Sequence, residues 1–208
     1  MFVIKLKNFL RIMIKNRKKN VNQKINTETP GEIKLHLGCG TRYIPGFIHI
    51  DIRKLPHVDY ATSADKLKMF KENSVDLIYA CHILDHFKRD QIDGVLKEWH
   101  RVLKPGGILR LAVSDLEQIV KVYLKYKDLK LVVGPLMGRQ DYPANTHGMS
   151  FDFNYLSEFL KKAGFKKIRR YNWEETIHKD YDDLSQAYIP HMNKKHGILI
   201  SLNVEAEK

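Results

Sequence analysis

The stretch Leu35-His36-Leu37-Gly38-Cys39-Gly40 decides the fold. A short apolar strand, predicted over residues 33–37, runs directly into two closely spaced glycines. Because glycine has no Cβ, such a turn lets a ligand approach the backbone. Asp51 lies in the next predicted strand, over residues 47–52, where a carboxylate can accept hydrogen bonds from both hydroxyls of a ribose. The pattern predicts a nucleoside-binding turn, with a purely structural tight turn as the alternative.

A nicotinamide dehydrogenase does not fit this turn. Tyr43 stands where a dinucleotide-binding turn has its third glycine. Asp51 follows Gly40 by 11 residues, whereas dinucleotide folds place the acid about 20 residues on. The connection is too short for the full helix whose N-terminus binds a pyrophosphate.

The rest of the chain alternates strands with helices, as the spacing of apolar residues indicates. This alternation predicts a mostly parallel sheet with helices on both faces. In the predicted helix over residues 90–103, Asp90 is the N-cap, and Pro105, Gly106 and Gly107 end the helix. The other predicted helices cover residues 115–127 and 151–163, and the other strands cover residues 58–61, 75–80, 108–113, 165–171 and 197–204.

Length and composition favour one domain. The chain has 208 residues, of which 43% are hydrophobic and 29% charged, which is typical of a globular protein. No uncharged apolar run reaches the ~18 residues of a membrane-spanning helix. Cys39 and Cys81 are predicted to be free thiols of a cytoplasmic protein, with one disulfide as the alternative.

The positive charge is concentrated at the beginning of the chain. The net charge is +12, and residues 1–30 hold eight basic residues and one acid. Residues 1–20 show the apolar spacing of an amphipathic helix, which predicts contact with an anionic membrane surface, or packing on a partner or on the protein's own domain. We therefore divide the chain into a basic leader and linker, 1–30, and a domain, 31–208.

Several motifs in order resemble class I S-adenosylmethionine-dependent methyltransferases. They are LHLGCG at 35–40, ENSVDLIYACHILDHF at 72–87 and EWHRVLKPGGILRLAV at 98–113. The chain also resembles small predicted methyltransferases of bacterial polysaccharide gene clusters, which share the connection GxxYxPGFxxID and the tail at 185–206. Asp85 stands where the family commonly has glutamate.

The resemblance implies a Rossmann-like sheet of seven strands with an antiparallel last strand, and S-adenosylmethionine as cofactor. It implies that the ribose-binding acid is Asp51 and that residues 63–65 contact the adenine. The expected cofactor-binding residues are Gly38, Cys39, Gly40, Asp51, Ile52, Ser63, Ala64, Asp65, Cys81 and His82.

An oxygen acceptor must lose a proton during methyl transfer, so a base is expected. His147 is the first candidate, because it lies in a long polar connection, 137–152, that suits an acceptor-site lid. His82, after the fourth strand, is the second candidate. His82 and His86 are equally consistent with packing of the next helix. Gln140, Asp141 and Tyr142 are the expected acceptor contacts in the lid.

The connection over residues 172–196 is long for a hairpin and rich in rings and carboxylates. Trp173, His178 and Tyr188 are predicted to contact a sugar. No metal site is predicted, although His178, Asp180 and Asp182 are close enough in sequence to leave a divalent cation as an alternative.

The resulting hypothesis is an O-methyltransferase acting on a glycan, a sugar or a related small polar acceptor. An RNA methyltransferase is the alternative enzyme, but most of the positive charge lies outside the domain, and no aromatic–basic stripe is present. Nucleic acid is therefore not the expected partner. A non-catalytic binding protein of the same fold is the third alternative.

Overall fold

The computed structural model describes residues 31–208. The predicted amphipathic leader, residues 1–30, lies outside the described residues, so it and the domain boundary stay predictions. Among the described residues, no helix is both long and apolar enough to cross a membrane.

A seven-stranded sheet forms the centre of the domain. The strands are β1 (Lys34–Leu37), β2 (Ile48–Asp51), β3 (Tyr60–Ala61), β4 (Val75–Cys81), β5 (Leu103–Ser114), β6 (Lys166–Arg170), β7 (Tyr188–Ile189), β8 (Ile198–Leu199) and β9 (Ser201–Glu207). The strand order of the sheet is β3-β2-β1-β4-β5-β9-β6, and β9 runs antiparallel to both of its neighbours. A separate antiparallel pair joins β7 to β8. The predicted mostly parallel sheet with an antiparallel last strand is confirmed.

Four α-helices are described: α1 (Ile92–Val102), α2 (Leu116–Tyr126), α3 (Val133–Met137) and α4 (Phe153–Lys162). The apolar face of α1 is buried, and the indole of Trp99 donates a hydrogen bond to the carbonyl of Ala64 at 2.8 Å. Asp115 and Asp152 cap α2 and α4, because their carboxylates accept hydrogen bonds from backbone N–H groups of the first turn. The short helix α3 was not predicted.

Two boundaries around α1 were predicted wrongly. The residue before the helix is Gln91, without a side-chain cap, and not Asp90. The helix ends at Val102 because Leu103 already pairs with Val75 of β4. The Pro105–Gly107 turn therefore lies within β5 instead of ending the helix.

The last predicted strand, 197–204, is in fact two strands. The N–H of Ile200 donates to the carbonyl of Ala187 at 2.9 Å, and this hydrogen bond interrupts the strand between β8 and β9. β9 then continues to Glu207 alongside β5. Because β1, β2, β4 and β5 are parallel, their carboxyl ends meet at one edge of the sheet, where ligands bind in open α/β folds.

Candidate active site

A cavity of about 580 Å³ opens at this edge of the sheet. One wall is formed by the ends of β1, β2 and β4 and the residues that follow them, and the other by residues 139, 141–146 and 148. Its size lies within the range of small-molecule sites. The lining residues are His36, Gly38–Arg42, Asp51–Arg53, Thr62–Ala64, Cys81–Ile83, His86–Lys88, Arg139, Asp141–Thr146, Gly148, Asp183 and Leu184.

The glycine turn after β1 has a backbone that only glycine adopts without strain. Gly38 and Gly40 have φ angles of +61° and +59°. A Cβ on Gly38 would lie 2.7 Å from the side chain of Ile83. The missing side chain therefore lets the chain turn tightly beside Ile83, and both glycines line the cavity.

The carboxylate of Asp51 is held rigidly beside this turn. It accepts hydrogen bonds from the N–H of Gly40 at 2.8 Å, from the N–H of Arg53 at 2.8 Å and from the Nε of Arg53 at 3.1 Å. Asp51 is only 5% exposed. A carboxylate has about four acceptor positions, so Asp51 keeps capacity for a ligand hydroxyl.

Nine of the ten predicted cofactor residues line the cavity, and Asp65 does not. The backbone turns after Ser63, whose carbonyl accepts from the N–H of Lys66 at 3.0 Å. This turn carries Asp65 to a separate groove, next to Glu98 and Arg101. The expected adenine contact of Asp65 is corrected accordingly, whereas Ser63 and Ala64 keep their place.

Both cysteines are free thiols, as predicted. The Sγ of Cys39 lies 3.8 Å from the Nε2 of His57. Burial, followed by the charge of Asp51, raises the pKa of Cys39 to about 12, so this thiol stays neutral near pH 7 and is not a nucleophile.

Three histidines surround the fully buried carboxylate of Asp85; we call Asp85, His82, His86 and His147 the Asp85 cluster. Burial alone would raise the pKa of Asp85, but the hydrogen bond from His82 and the charges of the three rings lower it to about 2. The carboxylate is therefore ionised.

His147 does not line the cavity, so its prediction as the base is corrected. Its side chain is 8% exposed, its Nδ1 lies 3.0 Å from the carbonyl oxygen of Pro135, and its Nε2 faces Asp85 at 3.7 Å. Burial lowers the pKa of His147 despite the opposing charge of Asp85. The lid folds back because the N–H of Gly148 donates to the carbonyl of Asp85 at 2.8 Å. That contact draws His147 behind the cavity wall.

His82 and His86 do line the cavity. The Nε2 of His82 lies 3.2 Å from the Oγ of Ser201, and its Nδ1 lies 3.4 Å from Asp85. Both nitrogens of His82 are thus engaged. His86 is half-buried, and its Nδ1 has no hydrogen-bond partner among the described residues. His86 follows His82 by four residues in the sequence, but the sequence does not indicate that His82 is engaged at both nitrogens while the Nδ1 of His86 is not.

The lid contributes part of its predicted acceptor contacts. Asp141 and Tyr142 line the cavity, whereas the side chain of Gln140 turns back to donate to the carbonyl of Met137 at 3.3 Å. The guanidinium of Arg53 lies over the ring of Tyr142, 5.1 Å from its centroid. Arg53 therefore connects the Asp51 side of the cavity to the lid.

The three aromatic residues predicted in 172–196 are outside the cavity. Trp173 donates from its indole to the hydroxyl of Tyr188 at 3.3 Å. His178 is fully buried, 3.9 Å from the ring of Tyr79. These residues pack against each other and the sheet, so their predicted sugar contacts are corrected. The cation alternative in this segment also fails, because Asp180 and Asp182 are exposed while His178 is buried.

The cavity also contains polar residues that were not predicted. Several are basic, and their place in the cavity becomes clear only from the folded structure, where they lie at the same edge of the sheet. For Arg53, the sequence offered a local signal, because Arg53 lies two residues after the predicted ribose-binding acid Asp51. The unpredicted polar residues are His36, Thr41, Arg42, Arg53, Thr62, His86, Lys88, Arg139, Asn145, Thr146 and Asp183.

Residues 39–111 match the family described as "Methyltransferase domain". This segment runs from the glycine turn through most of β5, and it contains Asp51 and most of the Asp85 cluster. With the strand order given above, the match decides the fold. The chain has the class I methyltransferase fold.

Solved structures show the same methyltransferase fold at low sequence identity. A SAM-dependent methyltransferase from Archaeoglobus fulgidus is 13% identical, covers 93% of this chain and 94% of its own, and has a TM-score of 0.52. The 1,6-didemethyltoxoflavin-N1-methyltransferase of Burkholderia thailandensis, solved with S-adenosylhomocysteine, is 16% identical, with coverages of 85% and 70% and a TM-score of 0.50.

Among curated proteins, O-methyltransferase 3 of Dictyostelium discoideum is 28% identical over 110 residues, or 53% of this chain. The match covers 24% of that relative's length, so the chain spans about a quarter of it. Together, the matching domain and the methyltransferase fold support an enzyme that uses S-adenosylmethionine as its cofactor.

Proposed function

We propose that the protein transfers a methyl group from S-adenosylmethionine to a hydroxyl of a glycan, a sugar or a related small polar acceptor. One observation carries the proposal. A single cavity joins the glycine turn and the carboxylate of Asp51 to a polar wall formed by residues 139–146. A methyl donor bound at the first wall and a methyl acceptor bound at the second would therefore lie in the same cavity.

The described residues suit the cofactor. The turn at Gly38 to Gly40 brings backbone groups to the cavity, and Asp51 provides a fixed acceptor for the hydroxyls of a ribose. Ile52, Ser63 and Ala64 lie along the same wall, where they would contact the adenosine. When bound, S-adenosylmethionine supplies a methyl group that is already activated, so the protein mainly provides proximity and alignment.

The acceptor wall favours a polar molecule. Arg139, Asp141, Asn145 and Thr146 line it, with Lys88 nearby. Tyr142 supplies one aromatic face, of the kind that stacks on a sugar ring. A flat apolar acceptor would leave these charged and amide groups unpaired, which costs free energy.

The Asp85 cluster supports an oxygen acceptor, because a hydroxyl must lose its proton when it is methylated. His86 lies on the cavity wall, which places one imidazole of the cluster beside the acceptor. His82 positions Asp85 instead, since both of its nitrogens are engaged. The name of the Dictyostelium relative, an O-methyltransferase, agrees with this assignment.

A methyl-transfer assay tests the proposal. The full chain is incubated with labelled S-adenosylmethionine and separate panels of nucleotide sugars, oligosaccharides and RNA. We expect a product 14 mass units heavier, about the mass of one CH₂, in a sugar-containing panel. Methylation in the RNA panel alone would show that the acceptor is a nucleic acid and would contradict the sugar proposal. Binding of S-adenosylhomocysteine without transfer to any panel would favour a non-catalytic protein.

The leader gives a separate proposal about location. The eight basic residues within residues 1–30 would attract an anionic membrane surface. Flotation of the full chain with vesicles of anionic lipid is expected, and flotation with neutral vesicles is not. Equal recovery with both vesicles would contradict an electrostatic contact.

A further inference from the structure

Three side chains of the Asp85 cluster converge as metal ligands do. One potential ligand atom each from Asp85, His86 and His147 lies within 4.8 Å of the other two. Ligands around a tetrahedral zinc ion, at about 2.1 Å from the metal, are separated by roughly 3.4 Å. The three side chains would therefore need to approach by little more than an ångström.

His147 is oriented by a contact outside the cluster. Its Nδ1 lies 3.0 Å from the carbonyl oxygen of Pro135, which can only accept, so Nδ1 carries a proton. In the neutral ring, Nε2 then has a free lone pair, and it faces a carboxylate oxygen of Asp85 at 3.7 Å. Two acceptors facing each other repel unless a cation or a proton lies between them. Metal-binding histidines typically donate their second N–H to a backbone carbonyl in this way.

The other two side chains have buried atoms without partners. The Oδ1 of Asp85 and the Nδ1 of His86 are inaccessible and make no hydrogen bond among the described residues. Asp85 as a whole is fully buried. Leaving buried polar atoms unpaired is costly, so their convergence calls for a ligand.

We propose that Asp85, His86 and His147 bind one divalent transition-metal cation. Two imidazoles and one carboxylate suit Zn²⁺, Mn²⁺ or Fe²⁺ better than Ca²⁺ or Mg²⁺, which prefer oxygen ligands. His86 lies on the cavity wall, so the metal would lie next to the acceptor part of the cavity. The metal site rests on the proposed function in one respect: the cation would bind the acceptor hydroxyl and lower its pKa.

Calorimetry with Zn²⁺ and Mn²⁺ tests the metal site. The untagged full chain is first treated with a chelator, and is compared with His86→Ala, His147→Ala and the control His196→Ala, which removes an exposed histidine. We expect one equivalent of at least one cation to bind the parent chain and the control. Each of the two cluster variants should bind at least about tenfold more weakly.

Equal binding by the cluster variants and the parent chain, or no binding of either cation by the parent chain, would overturn the metal site. Circular dichroism establishes that each variant is folded, and His86→Ala keeps the test decisive if His147→Ala does not fold, since His86 is half-buried. Titration of the same samples with S-adenosylhomocysteine tests the proposed function separately. Retained S-adenosylhomocysteine binding with lost Zn²⁺ binding supports the metal site, whereas Zn²⁺ binding without any S-adenosylhomocysteine binding contradicts only the proposed function.

Discussion

The Oδ2 oxygen of Asp51 accepts a hydrogen bond from the backbone N–H of Gly40 at 2.8 Å. This contact joins the carboxyl end of β2 to the turn after β1, two elements that lie side by side in the sheet. The acid is therefore fixed in place before any ligand binds. Because the carboxylate is already ordered, ligand binding has a smaller entropic cost.

Replacing Asp51 tests the ribose assignment. Asp51→Ala should weaken the binding of S-adenosylhomocysteine by about 1–3 kcal/mol, or roughly 5- to 150-fold, because the ribose hydroxyls lose a charged acceptor. Asp51→Asn keeps one acceptor oxygen and should have an intermediate effect. Calorimetry measures the affinities.

Asp90→Ala is the matched control, since Asp90 is exposed and lies outside the cavity. It should leave the affinity unchanged. An Asp51→Ala variant that binds as tightly as the parent chain would mean that another group binds the ribose.

Two glycine-to-alanine changes should have opposite effects on stability. In Gly38→Ala, the new Cβ would lie 2.7 Å from the side chain of Ile83, on a backbone with φ of +61°. The left-handed backbone alone costs about 1–2 kcal/mol, and S-adenosylhomocysteine binding should also weaken. Urea denaturation measures the free energy of unfolding.

Gly94→Ala is the control within α1, where a Cβ meets nothing within 4 Å. It should raise the free energy of unfolding by roughly 0.5–1 kcal/mol. If both variants are equally stable, the turn after β1 tolerates a side chain and the account of its glycines is wrong.

The contact between Arg53 and Tyr142 should matter for the acceptor. Tyr142→Ala removes the ring 5.1 Å from the guanidinium of Arg53, and with it the link between lid and sheet. Such contacts contribute about 0.5–2 kcal/mol, so we expect KM for the acceptor to rise about 2- to 30-fold. The affinity for S-adenosylhomocysteine should change less.

Tyr181→Ala, which removes a partly exposed tyrosine outside the cavity, serves as the comparison. It should leave both values unchanged. A Tyr142→Ala variant that affects only S-adenosylhomocysteine would assign Tyr142 to the cofactor wall instead.

Stability should fall on acidification because of His36. Burial, together with His49, His178, Arg42 and His57, lowers the pKa of His36 from 6.5 to about 3. The unfolded chain therefore takes up this proton first, and stability is lost as the pH falls from about 6.5 towards 3. From pH 7.5 to 5.5, His36 alone should cost about 1.4 kcal/mol of unfolding free energy.

His36→Leu should remove about that part of the pH dependence in urea denaturation. Some dependence should remain, because burial also lowers the pKa of His178, to about 4. His191→Leu, at an exposed position, is the control. An unchanged pH dependence in His36→Leu would show that His36 is not buried as a neutral ring.

The sequence predicts the part of the site that depends on local pattern. A short apolar run followed by two glycines predicts β1 and its turn. The acid at the end of the next apolar run predicts the position of Asp51. The 3.6-residue spacing around Trp99 likewise identifies α1. In each case, neighbouring residues carry the information that determines the structure.

The rest of the site depends on contacts between distant residues. His147 leaves the cavity because Gly148 bonds to the backbone of Asp85, 63 residues earlier in the chain. His178 is buried because it packs on Tyr79 in β4. A residue type alone does not reveal either contact, which explains why His147 and His178 were misplaced, whereas the position of Asp51 beside the glycine turn follows from local pattern.

A crystal structure of the full chain with S-adenosylhomocysteine tests the central claim most directly. We predict that the ligand lies in the cavity, with its ribose hydroxyls on the carboxylate of Asp51 and its backbone contacts at Gly38 to Gly40. A ligand bound elsewhere, or one in the cavity with its ribose directed away from Asp51, would contradict the account.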